Sequence, residues 1–282
     1  MSQARQIVQK SSVYAAGNIL RGLASFIMLP VYTKYLAPAD YGIIELISVA
    51  LDLTLLLLGA RVAVGIFKFY SDAESPREKN QVIATALALM LGVHLLAVIV
   101  IAAFNKPISV MLDAAPDFGI ALVVYSLSAV FGAANEVFFS YLKILDRAVT
   151  YVAINFLKLV LQLTLNIILI VYLDMKYWGV IWSAVVSSAA LTLLFSVWFL
   201  PTTGFNVSKY YSKQLVQFSA PIILASLAMY YIMFSSRYYL QYFDNIDEVG
   251  IYALANKFGM IIFSLVAAPF SEYWSARQFD MA

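Results

Sequence analysis

Eight apolar runs, each long enough to cross a bilayer, follow one another with short polar loops between them. They cover residues 11–33, 42–66, 82–104, 118–140, 151–173, 178–200, 215–240 and 249–270. The hydrocarbon core of a bilayer takes roughly 20 apolar residues of helix to span. Every backbone donor and acceptor in that region must be satisfied inside the protein, so only helices and closed barrels cross it. A barrel would show strands of about 10 residues with alternating polarity, and this chain has none. The runs therefore predict an all-α polytopic membrane protein with about eight transmembrane helices. Composition agrees: 63% of residues are hydrophobic and 12% charged, where soluble proteins carry about 25% charge.

The charge pattern orients the helices. Basic residues gather at the N-terminus and after the even-numbered runs: Arg5, Lys10, Lys68, Arg77, Lys79, Lys143, Arg147, Lys209, Lys213 and Arg277. After the odd-numbered runs there are only Lys34, Lys106 and Lys176. The positive-inside rule then places the N-terminus in the cytoplasm of a multi-pass cell-membrane protein. Arg21 interrupts the first run and no small-residue cleavage site follows a clean apolar stretch, so this run reads as a retained signal anchor. A net charge of +2 excludes nucleic acid as an expected partner. The absence of Cys removes disulfides, thiolate catalysis and Cys-ligated metals. The single histidine, His94, lies among Leu, Val and Ala, where a buried or lipid-interface side chain is expected.

A short element occurs twice. Tyr35-Leu36, Asp40 and Gly42-Ile43 align with Tyr242-Phe243, Asp247 and Gly250-Ile251, with one extra residue in the second copy. In the first copy Pro38 fixes its own φ and Gly42 lets the next run start close behind. Both copies lead from outside into a helix running in the same direction. The repeat is therefore parallel, about an axis along the membrane normal, with a period of six helices. Residues 1–205 would form a complete six-helix bundle and residues 206–282 the first two helices of a second, only partly present bundle.

Polar residues inside the runs form stripes. Tyr14, Asn18, Arg21 and Ser25 share a helical face, as do Glu45, Ser48, Asp52 and Gly59. So do Tyr125, Ser128, Gly132 and Asn135, with Glu136 beside them, and Asn155, Lys158, Gln162 and Asn166. Charges within the hydrocarbon are costly unless paired or hydrated, which makes these residues functional candidates. Turned inward, the four faces would line a hydrated cavity. Arg21, Lys158, Lys257 and Arg237 would offer positive charge to an anionic head group, because a guanidinium fork and an ammonium both suit phosphate. Asn18, Glu45, Asp52, Glu136, Asn155 and Gln162 would line the cavity or couple an ion. A purely structural alternative pairs Arg21 with Asp52 between neighbouring helices. The Tyr residues near the run ends suit an interfacial aromatic belt. Phosphate-binding loop, GxSxG, HExxH and dinucleotide-binding signatures are all missing. The chain therefore reads as neither an enzyme nor a cofactor or metal binder.

Several segments resemble a known family. Residues 29–46 (LPVYTKYLAPADYGIIEL) and 59–72 (GARVAVGIFKFYSD) are similar to the opening of polysaccharide-biosynthesis and O-antigen flippases, within the multidrug/oligosaccharidyl-lipid/polysaccharide exporter superfamily. Residues 218–243, 249–259 (VGIYALANKFG) and 270–277 (FSEYWSAR) resemble that family's later helices. One departure is Ser236, where the family often has Asp. Members usually carry twelve to fourteen helices in two bundles, where this chain supplies eight; the six-helix repeat by itself implies about four more. It also implies alternating access of a central cavity that carries a polyprenyl-diphosphate-linked oligosaccharide across the membrane, for lipopolysaccharide or related polysaccharides. Partners would be that lipid-linked sugar, membrane lipid and other polysaccharide-assembly proteins. The alternatives are a cation-coupled drug antiporter of the same superfamily, a membrane-embedded enzyme of glycan assembly, or a non-transporting partner of the assembly machinery.

Overall fold

The computed structural model describes residues 28, 30–59, 62–111 and 117–262. Among these, eight α-helices follow one another without a strand: α1 (Pro38–Leu57), α2 (Ala63–Asp72), α3 (Pro76–Met111), α4 (Phe118–Ile144), α5 (Ala148–Ile167), α6 (Lys176–Thr203), α7 (Lys209–Phe243) and α8 (Ile246–Ile262). A helical stretch ending at Tyr35 precedes α1, and a π-helical turn, Ile168–Tyr172, closes α5. The protein is an all-α polytopic membrane protein. Helices α3, α4, α5 with its π turn, α6 and α7 are each long and apolar enough to cross a membrane. Helix α1 has the length, but it carries three carboxylates, Asp40, Glu45 and Asp52.

Helix positions follow the apolar runs, with one correction. The run at residues 42–66 was expected to be one helix, and the chain breaks it between α1 and α2. Leu58 ends α1, and Gly59 takes φ +89°, a left-handed conformation that stops helix propagation. Apolar periodicity continues across the break, which is why hydropathy alone does not reveal it. The first run lies outside the described residues apart from its last few.

Burial grades the helices. Half of the apolar stretch of α4 is buried inside the protein, against 11% of that of α5. Helix α4 is thus the central post, packed between α3 and α6, and α5 presents most of its surface outward. An apolar cluster toward one end joins Ile66, Met90, Phe138, Phe199 and Leu215. The Phe138 ring packs there at a tilt, 4.5 Å from the Phe199 ring and 5.0 Å from that of Phe195. A second cluster toward the other end joins Leu46, Ile101, Phe118, Ile181 and Val249.

The pair α1–α2 lies alongside α7 over its whole length, in the opposite direction. Contacts run from Glu45–Arg237 through Val49–Tyr230 and Gly59–Ile223 to Gly65–Leu215, rising in number on one side and falling on the other. The tight turn at Asp244 and Asn245 then reverses the chain into α8. Helix α8 therefore runs the same way as α1, and the two pack extensively. Their crossing joins the two copies of the repeated element. A Cβ on Gly42 would strike the carbonyl oxygen of Ile246, and a Cβ on Gly250 would strike that of Pro38. Pro38 and Ile246 each stand one helical turn, four residues, before their glycine, so the contact is reciprocal. The helix starts are capped differently. The Ala37 backbone N–H donates to Asp40 Oδ2 at 2.8 Å. In the second copy Asn245 Oδ1 accepts from the N–H groups of Asp247 and Glu248, at 3.0 and 3.1 Å.

Candidate functional site

On the polar stripe of α1, half-buried Glu45 is turned toward α7, where it meets Arg237. Arg237 Nε donates to Glu45 Oε1 at 2.9 Å, and its Nη1 donates to the Met233 carbonyl at 2.6 Å. Its guanidinium carbon lies 4.9 Å from the ring centroid of Tyr252 and 5.2 Å from that of Phe234. With 2% of its surface exposed, Arg237 is enclosed between the two repeat copies, where sequence reasoning had it meeting a head group. The Lys257 ammonium lies 5.0 Å from the Tyr41 ring centroid and 5.8 Å from that of Tyr32. One turn further along α1, Ser48 Oγ donates to the Ile44 carbonyl at 2.9 Å. Tyr230 donates to the Val49 carbonyl at 2.6 Å and stands 3.2 Å from the Tyr238 hydroxyl. Glu45, Arg237 and Lys257 thus gather at the α1–α7–α8 seam, while Asp52 stands exposed two turns further along α1.

A separate cleft of about 390 Å³ opens between α2, α4 and α5, and it collects three more of the expected residues: Glu136, Asn155 and Lys158. Lys143, Tyr151 and Asn135 also face it. Asn155 Nδ2 donates to the Tyr151 carbonyl at 2.9 Å, which fixes its side chain along α5. The Lys143 ammonium lies 5.0 Å from the Tyr151 ring. Two lysines and one glutamate leave this lining with a net positive formal charge, set in helices whose outer faces are apolar. Its size is within the range of small-ligand sites, about 300–1,000 Å³.

Other polar residues serve the framework. Asn135 donates to the Ser188 carbonyl at 3.1 Å and accepts from Thr192 at 3.1 Å, tying α4 to α6. Asn166 donates to the Tyr32 hydroxyl at 2.8 Å and accepts from Ser183 at 2.6 Å. His94 Nδ1 donates to the Met90 carbonyl one turn earlier, at 2.7 Å, as a buried histidine should. Asp117, at the head of α4, accepts from the Tyr177 hydroxyl and from Trp178 Nε1. These bonds, the tyrosine's first, hold its carboxyl below the usual carboxylate range although burial works against them. Gln162 stands half-buried on α5, between the cleft and Asn166. Arg21 and Asn18 lie outside the described residues. Among the described residues no group of three or more His, Cys, Asp or Glu side chains is placed to hold a metal ion.

Sequence reasoning missed the aromatic hydroxyls of α7, Tyr230 and Tyr238, because tyrosines near a membrane fit an interfacial belt equally well. It counted Lys143 only as a loop charge. The stripe on α4 was visible, but that Asn135 is bonded to α6 while Glu136 beside it stands exposed in the cleft depends on tertiary packing.

No curated protein and no solved structure matches the chain. The model of the polysaccharide biosynthesis protein family matches residues 7–274, which takes in both copies of the repeated element, the seam between them and the Lys158 cleft. With nearly its whole length matched by that model, the chain belongs to the polysaccharide biosynthesis protein family.

Proposed function

We propose that this chain is a flippase component. It would move a polyprenyl-diphosphate-linked oligosaccharide across the cytoplasmic membrane by alternating access, for O-antigen or related polysaccharide assembly. The observation that carries the reading is the cationic cleft between α2, α4 and α5. Lys158 stands ten residues into an apolar span, about 15 Å along its axis, beside Lys143 and Glu136. A diphosphate needs such cations to leave water, and a transport site needs them on helices that can move apart. Glu136 would moderate the affinity so that the substrate can be released. The α1–α8 crossing, with Arg237 and Glu45 beneath it, would close the outer side, and residues 1–205 and 206–282 would belong to the two bundles that rock against each other.

The test is complementation of surface-glycan export in a strain lacking its own flippase, with the protein expressed from its full reading frame. Lys158→Ala should lower export at least about tenfold, the effect of losing one charge-assisted hydrogen bond to the substrate. Lys158→Arg should keep most of it. Normal surface glycan from Lys158→Ala at normal protein level would remove this cleft from the transport path.

A further inference from the structure

A second cleft, of about 470 Å³, lies at the opposite end of the α1–α2/α7 seam from the Gly42–Gly250 crossing. Its walls are the last turns of α2 and the first turns of α7. We propose that this cleft is a saccharide-recognition site for uncharged sugar residues. This deepens the flippase reading and rests on it for the identity of the substrate class.

The argument begins with charge. Lys68 and Asp72 both line the cleft, and they pair with each other at 3.3 Å across one helical turn. The remaining lining residues are neutral, so the site has no surplus cation for a diphosphate. In this it differs from the cleft around Lys158. It is also too polar for a lipid chain, since Gln214 and Gln217 stand in the wall beside that ion pair.

What remains is the chemistry of a polyol. Each glutamine amide brings two N–H donors and a carbonyl acceptor in one plane, which matches a pair of neighbouring hydroxyls. Asp72 adds two acceptor oxygens. Tyr210 supplies a flat ring that is 66% exposed, available to the C–H face of a pyranose. Tyr211 lies edge-on to it at 5.2 Å, and Phe69 meets Phe218 edge-on at 5.8 Å, so the aromatic part of the lining is braced ring against ring. Tyr211 is itself buried, which fixes the first turn of α7 in place.

The position also fits a translocated sugar. The two walls are α2, which follows the Gly59 break, and the stretch of α7 before Pro221. One wall belongs to the first bundle and the other opens the second. Under the basic-residue topology the cleft faces the cytoplasm, where a lipid-linked sugar waits before translocation.

Saturation-transfer NMR on the detergent-solubilised full chain tests the assignment, with glucose, galactose, N-acetylglucosamine and N-acetylgalactosamine as probes. At least one should give saturable transfer, and inorganic pyrophosphate should not displace it. Tyr210→Ala and Gln217→Ala should each weaken that binding about tenfold, the scale of one lost contact. Tyr210→Phe keeps the ring and should bind like the parent. Both residues are exposed, so their truncation removes little packing beyond the Tyr210–Tyr211 ring contact, and unchanged circular dichroism checks that the fold is kept. Absence of binding by all four sugars overturns the proposal. Unchanged binding in both alanine variants does so too, as does displacement by pyrophosphate. Export by Lys158→Ala tests the flippase reading alone, and sugar binding by Gln217→Ala tests this cleft alone, so either can fail without the other.

Discussion

Arg237 and Glu45 form an ion pair that water barely reaches: the side chains are 2% and 18% exposed. Removing one partner of such a pair leaves an uncompensated charge, which costs about 3–5 kcal/mol, whereas replacing both by apolar residues of similar size is often neutral or better. Arg237→Ala should therefore lower the unfolding temperature of the purified protein sharply, and Glu45→Gln somewhat less, since an amide can still accept from the guanidinium. Arg237→Met combined with Glu45→Leu should recover much of the loss. If the paired replacement is as unstable as Arg237→Ala, the bonds to the Met233 carbonyl and the stacking on Tyr252 matter more than the charge pair. The same comparison made on export separates stability from mechanism. A stable but inactive double variant would mean that the pair must break and re-form during transport. The identity of these residues as buried charges was legible from their place within apolar runs. Their partnership was not, because about 190 residues separate them along the chain and no local spacing records a long-range contact.

At the scale of the element, α1 and α8 cross where two glycines leave no room for a side chain. The neighbours that a Cβ would strike are backbone carbonyl oxygens, which cannot rotate away as a side-chain tip can. Gly42→Ala and Gly250→Ala should each force the helices apart and lower folded yield and thermal stability by similar amounts, because the contact is reciprocal. Gly92 provides the contrast. It sits within α3 with nothing within 4 Å of a built Cβ, so Gly92→Ala should be neutral or stabilise by about 0.5–1 kcal/mol through helix propensity. Equal effects at Gly250 and Gly92 would refute the close-approach account. Fluorescence-detected size exclusion after heating measures all three variants. Both glycines of the crossing stood out in the sequence because they occupy matching places in the repeat. The break at Gly59 did not stand out: a lone glycine within an apolar run is compatible with an unbroken helix, and only its positive φ shows the stop. Opposite that break, Pro221 removes a backbone donor from α7. Two antiparallel helices are thus weakened at one level, with the polar seam on one side and the aromatic cleft on the other.

At the scale of the whole molecule, the helix order was legible because lipid imposes one demand on every span, and apolar length reports it directly. Which clefts form between the helices was not legible. Four polar stripes can be paired in several ways, and the fold places the α1 stripe at a seam with α7 and α8 while α4 and α5 share a cleft with α2. Orientation is the next quantity to fix, since it decides which cleft a substrate meets first. The chain contains no cysteine, so single cysteines introduced at exposed loop positions report sidedness without any prior removal. The basic-residue distribution predicts that Asp244→Cys, in the turn before α8, and Leu173→Cys, after the π turn, react with a membrane-impermeant maleimide in intact cells. Glu74→Cys, between α2 and α3, and Asn206→Cys, between α6 and α7, should react only after permeabilisation. The pairing within each set follows from helix parity alone, so it tests the fold. The assignment of the sets to outside and inside tests the charge rule. Inversion of both sets together would keep the fold and put the aromatic cleft on the outer face, turning a site of substrate capture into one of release. Reaction of Asp244→Cys and Asn206→Cys from the same side would mean that α7 does not cross the membrane, and the two-bundle mechanism built on its seam with α1 and α2 would fail with it.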